Sequence, residues 1–125
     1  RARGAKPLAG AGVAAGGHLL ASQRETEAGH LRCAIAENKA WGCLALMISS
    51  GRLARHIENH ANWWVGLSGT AGGRLIPSPG GVFIRSPDGE ILGAFGISGE
   101  ASALDEEIAV EAIETAGLVA DTEGD

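Results

Sequence analysis

The sequence predicts an α+β domain, a five-stranded and mainly antiparallel sheet with helices packed on it. Three observations carry that prediction. Short apolar runs between Pro77 and Gly99, punctuated by glycine and proline, have the length and turn chemistry of strands in hairpins. A proline-free run over residues 31–49 places Leu31, Ile35, Leu44, Met47 and Ile48 around more than one face, as in a helix packed between a sheet and another element. Near the C-terminus, Ile108, Ala109, Ala112, Ile113 and Ala116 form one apolar stripe that ends at Gly117, the expected helix C-cap.

Taken in order, residues 1–6 read as the last turn of a helix whose beginning the sequence does not contain. Residues 8–15 read as a strand of small side chains, Gly16-Gly17 as a two-residue hairpin turn, and residues 18–24 as the partner strand. After a loop at 26–30 comes the long helix, then one or two short helices within 51–67, a flexible loop at 69–73 and a short strand at 74–76. The central hairpin pairs 82–85 with 90–97 across Pro87-Asp88-Gly89, where proline presets φ and glycine accepts a positive one. Ser102 followed by Asp105 fits a capping box for the last helix. One domain spans residues 1–118, and the acidic 119–125 reads as a disordered tail.

The net charge of −5 conceals an asymmetry. All ten Lys and Arg residues lie at or before Arg85, and nine of the fifteen acids lie from Glu100 onward. No concentrated basic face marks a nucleic-acid reader, and a basic-to-mixed centre suits a small anionic molecule. No apolar run is long enough for a bilayer span, and the N-terminus lacks a signal-peptide hydrophobic stretch. Cys33 and Cys43 stand ten apart on one helix, too far apart to bridge. Reduced thiols and a cytoplasmic setting are therefore expected.

The glycines at 80, 81, 93, 96 and 99 mark where backbone passes close to something, either a packing partner or a ligand. Lys39, mid-helix, is ordinary surface if it points out, and the anchor of an anion if it points in. His56 and His60 have metal-chelating spacing, but Ile57 stands where a zinc hydrolase has glutamate and no third ligand is evident. Trp63 and Trp64 cannot both face one core, so one of them covers a neighbouring subunit or a pocket rim.

Three segments carry a family resemblance. AAGGHLLASQRE (residues 14–25) resembles a hairpin of Asp-x-Gly-Gly-His/Asn-Leu type, IAENKAWGCLAL (35–46) resembles a helix with a recurring lysine-alanine pair, and PGGVFI…DGEILGAFGISG…DEE runs from Pro79 to Glu107. Together they resemble the small haem-binding or haem-degrading-type domains that include GlcG, HbpS and the C-terminal domain of PduO adenosyltransferases. The sequence departs from the pattern at Ala15, where an acid is frequent, at Glu100, where glycine is common, and in its shortened N-terminal helix. The resemblance implies a profilin-like or PAS-like fold, homo-oligomers from dimer to octamer, and tetrapyrrole binding in some members.

Three functional readings follow. The first is binding of haem or another tetrapyrrole, with His18 or His30 as axial donor and Arg24, Arg74 and Arg85 toward the propionates. The second is an enzyme acting on a small carboxylate or carbonyl acid in a catabolic pathway. Its site would lie among Gly80, Gly81, Ser98, Gly99 and Lys39, with Lys39 as electrostatic anchor and Asp105 or Glu106 as acid or base. The third is a non-catalytic oligomeric accessory protein. The first two place a small guest in a hollow left by the glycine bends.

Overall fold

The structure, a computed structural model, describes residues 6–99 and 101–124. Of the helical stump expected at residues 1–6, residues 1–5 lie outside the described residues and Lys6 is not helical; the departure at Glu100 also lies outside the described residues. Five strands, β1 (Ala9–Ala14), β2 (Leu19–Arg24), β3 (Gly81–Arg85), β4 (Ile91–Ser98) and β5 (Val119–Asp121), form one antiparallel sheet in the order β2-β1-β4-β3-β5. Four helices accompany it: α1 (Arg32–Leu46), α2 (Ser50–Ile57), α3 (Ala61–Thr70) and α4 (Ser102–Thr115). The α+β class and the antiparallel five-stranded sheet are as the sequence predicts.

Helix α1 lies across one face of the sheet at very short range. Ala9, Ala11 and Ala36 make one fully buried cluster, and Val13, Ala40, Cys43, Phe83 and Ala94 make the next. A Cβ on Gly96 would overlap the carbonyl of Ala36, and one on Gly81 would overlap that of Lys39. These two glycines are therefore the condition for seating the helix backbone directly on β3 and β4. The opposite face is covered at the β3–β4 end by α4, through Val82, Ile97, Ala109 and Ile113.

Four local details differ from the sequence reading. The β1–β2 connection takes four residues rather than two: Ala14 N–H donates to His18 O and Gly17 N–H to Ala14 O, with Gly17 at φ 90°. No strand forms at 74–76, where Leu75 is instead buried against Gly42. Its place in the sheet goes to the segment expected to be a disordered tail. Gly117, at φ 82°, closes α4 with paired bonds from Gly117 N–H to Glu114 O and Leu118 N–H to Ile113 O. That turn sends Val119–Asp121 back along β3, where Asp121 accepts from Arg85 Nε at 2.9 Å. Finally, Ser102 forms no capping box. The N-cap is Ala101 without a side-chain bond, Ser102 Oγ meets Ser78 Oγ, and Asp105 turns inward to Lys39.

Candidate functional site

Lys39 points inward and is 3% exposed. Its ammonium donates to Pro79 O at 3.0 Å, Ile97 O at 3.1 Å and Asp105 Oδ2 at 3.2 Å. An ammonium has three N–H groups, so this geometry uses them all. Burial holds the Lys39 pKa below the ordinary lysine value, opposed by the Asp105 carboxylate and reinforced by the Arg32 charge. The lysine pins the Pro79–Gly81 bend, the end of β4 and the first turn of α4 to the middle of α1.

The bend itself has no hollow. A Cβ on Gly80, at φ 136°, would come within 2.7 Å of Ile97 O and 2.8 Å of Lys39 Nζ. Gly81 N–H donates to Ser50 Oγ at 2.8 Å. Ser98 is 1% exposed, its Oγ accepts from Arg32 Nη1 at 3.2 Å, and Gly99 is filled in by Pro7 and Leu8. The expected guest cavity at Gly80, Gly81, Ser98 and Gly99 is thus occupied by the protein's own backbone and by Lys39.

Asp105 and Glu106 occupy different surroundings although adjacent. Asp105 is buried with Lys39. Glu106 Oε1 is buried over Gly51 and has no hydrogen-bond partner among the described residues. Burial raises its pKa, against the pull of Arg55 and with help from Glu123. It borders an open groove of about 660 Å³ shared with Glu107, Glu111 and Glu114, whose charge repels anions.

The expected propionate partners are all engaged. Arg24 Nη1 donates to Ala28 O at 2.5 Å, and Arg85 pairs with Asp121 and donates to Gly89 O at 2.8 Å. Arg74 donates to Asn38 Oδ1 at 3.1 Å, pairs with Glu37, and lies 4.1 Å above the Trp41 ring. His30 is exposed on the loop before α1. His18 is exposed at the tip of the β1–β2 hairpin, followed by Leu19 and Leu20 at 45% and 72% exposure. The tip rests against α1, since a Cβ on Gly17 would sit 3.6 Å from the Trp41 ring. An exposed imidazole, two exposed leucines, an indole and a guanidinium therefore gather at this end of the fold. Trp41 is the member that sequence reasoning missed; its only signal was an aromatic in a chain nearly devoid of them.

His56 and His60 do not share a helix, because α2 ends at Ile57 and α3 begins at Ala61. Their rings stack at 4.1 Å and 6°, His60 Nδ1 bonds His56 O at 2.7 Å, and Trp63 abuts His56 edge-on. No group of three His, Cys, Asp or Glu side chains converges among the described residues. Cys33 and Cys43 are unbridged, and burial pushes the Cys43 thiol up to about 12, which makes it an inert core group. No described helix is long and apolar enough to cross a membrane.

The open sheet face beside α4 carries an apolar shelf of about 530 Å³. Gly10, Gly12, Ala21 and Gln23 contribute to its floor, with Leu8, Phe95 and Ile97 at its sides. No histidine lines it.

Comparison with solved structures finds the same architecture. A complex described as "PduOC:Heme" superposes with a TM-score of 0.81 at 26% identity, over 90% of this chain and 80% of that one. The Klebsiella pneumoniae protein ORFY gives 0.78 at 28% identity, over 87% and 74%. HbpS gives 0.71 at 20% identity over 88% and 73%, a likeness of fold. No curated protein sequence matches the chain significantly. The family model for the haem degrading protein HbpS-like family matches residues 1–114, with the segments around His18, Lys39 and Gly80-Gly81 inside the match, and the chain belongs to that family.

Proposed function

We propose that the protein binds haem or a related tetrapyrrole at the hairpin tip, with His18 as the axial donor. The observation that carries this reading is the His18 imidazole itself, exposed and without a hydrogen bond to a described residue, next to exposed Leu19 and Leu20 and near the Trp41–Arg74 stack. A haem site requires an imidazole donor, apolar contact for the macrocycle and a cation for the propionates. The tip supplies the first two directly; Arg74, over the Trp41 ring, would supply the third by exchanging its contacts with Asn38 and Glu37 for a propionate. The apolar shelf on the open sheet face has no histidine donor in its lining. Similarity to a chain solved as a haem complex supports the same ligand class. When bound, the haem iron would supply the redox or ligand-binding chemistry, and this chain's part is to hold and orient it. Two unbridged cysteines suit a reducing compartment such as the cytoplasm.

The carboxylate-enzyme reading draws less support, because Lys39 has no N–H left to anchor a substrate. The test is a haem titration followed by absorbance. A shifted Soret band is expected with the parent protein and with His30→Ala, and its loss with His18→Ala. An unchanged haem spectrum in the parent, or full retention in His18→Ala, overturns the assignment.

A further inference from the structure

We infer, resting on the haem reading, that Glu37 sets the affinity of the hairpin-tip site by competing with the guest for Arg74, and that the guest is a tetrapyrrole with free carboxylate side chains rather than an esterified or neutral one. Three side chains of α1 build a cradle for that arginine. Glu37 and Asn38 stand four and three positions before Trp41, so all three share one face of the helix. The guanidinium carbon lies 4.1 Å above the Trp41 ring, Asn38 Oδ1 accepts from Nε at 3.1 Å, and Glu37 Oε2 stands 3.5 Å from Nη2. Nη1 makes no hydrogen bond to a described residue. The backbone here is fixed as well: Arg74 N–H donates to Ala71 O, and Leu75 is buried against Gly42. Stacking, a neutral amide and a pinned backbone therefore hold Arg74 in place, and Glu37 is an additional contact.

That contact is the weak one. At 3.5 Å it is longer than a well-formed charge-assisted hydrogen bond, and the two side chains are 39% and 31% exposed, so water screens the pair to little net value. A guest carboxylate that reaches Arg74 accepts from Nη1 and Nη2 together, the two-point geometry in which a guanidinium holds a carboxylate best. Glu37 then loses its cation and faces the guest's negative charge, and both effects subtract from binding. Asn38 is neutral and adds no such repulsion. An ester brings no charge to exchange for that of Glu37, so it gains little from Arg74. Neutralising Glu37 removes the competitor, while Trp41 and Asn38 still hold the arginine for the guest.

The test titrates haem and haem dimethyl ester into the parent, Glu37→Gln, Arg74→Gln and the double variant, reading affinity from the Soret band and the fold from circular dichroism. Glu37→Gln is expected to bind haem about two- to fivefold more tightly, the worth of an exposed ion pair. The parent should bind the ester at least about tenfold more weakly than haem, the worth of a hydrogen bond to a charged group, and Glu37→Gln should bring the ester no gain. In the Arg74→Gln background the gain from Glu37→Gln should vanish, because no cation remains to contest. If Glu37→Gln fails to fold, the comparison of acid with ester in the parent decides alone. Haem affinity unchanged or lowered in a folded Glu37→Gln protein overturns the role of Glu37 and leaves the haem reading standing. So does an ester bound as tightly as the acid, or a gain that persists without Arg74. A parent that leaves the haem spectrum unmoved overturns both.

Discussion

Lys39 and Asp105, 66 positions apart in the sequence, meet at 3.2 Å beneath the Gly80-Gly81 bend and lock α1, β4 and α4 together. Removing one partner from such a buried pair leaves an uncompensated charge, and here it also strips the carbonyls of Pro79 and Ile97 of their donor. Lys39→Ala is expected to cost about 3–5 kcal/mol. Lys39→Met combined with Asp105→Leu should recover much of that loss. Urea unfolding of the three proteins measures both, and a Lys39→Ala protein as stable as the parent would show the pair to be incidental.

Glycine substitutions should separate into two groups. Gly81→Ala and Gly96→Ala force a methyl into the carbonyls of Lys39 and Ala36, so each should cost upward of about 3 kcal/mol or prevent folding. Gly12→Ala meets nothing within 4 Å and should stabilise β1 by about 0.5–1 kcal/mol. Thermal melts of the three variants read the contrast directly. Equal effects at all three positions would contradict the close seating of α1.

The end of α1 holds the one positive-φ residue other than glycine among those described, Met47 at φ 62°. Left-handed backbone costs an L-residue roughly 1–2 kcal/mol relative to glycine. Met47 is partly exposed, so little packing is lost with its side chain. Met47→Gly is therefore expected to raise the melting temperature, and Gly117→Ala, which imposes the same strain on the α4 cap, to lower it.

Two carboxyls pull the pH dependence in opposite directions. Burial raises the pKa of Glu106 in the folded state, so the folded chain binds more protons than the unfolded one just above the ordinary glutamate range. Stability through this group falls as pH rises across that window, and the penalty is complete above it. Glu106→Gln should consequently stabilise the protein at neutral pH, with the gain fading on acidification. Burial also acts upward on Asp121, but the N–H groups of Glu123 and Gly124, together with Arg85, outweigh it and hold its pKa low. Its contribution is present above the ordinary aspartate range and lost as pH falls through the depressed value. Asp121→Asn should therefore be destabilised at neutral pH and converge with the parent in acid. Denaturation midpoints taken across pH would reveal either slope reversed.

Much of the fold could be read from local patterns. The start of α1, the Pro87-Asp88-Gly89 turn and the hairpin it joins depend on residues within a few positions of one another, and turn chemistry and periodicity report such neighbours directly; the helix expected to run to Ser49 instead stops at Leu46, because Met47 takes left-handed backbone and Ser49 caps α2. Gly117 as the stop of α4 belongs to the same class. The short strand at 74–76 and the disordered tail were misread because a strand needs an edge to join. Only the closed turn after α4 shows that Val119–Asp121 reaches β3 first.

The candidate site divides along the same line. His18 at a hairpin tip was legible from Gly16-Gly17 and the strands around it. Its company of Trp41 and Arg74 was not, since these belong to α1 and to a loop. The glycines at 80, 81, 96 and 99 announced that backbone comes close to something, without saying what. By itself the sequence determined where the chain turns, which stretches are helical and which residues are too small to keep neighbours away. Only the tertiary structure decided that those neighbours are α1 and the Lys39 ammonium rather than a guest, because charge pairing and steric fit act between atoms close in space, whatever their separation along the chain.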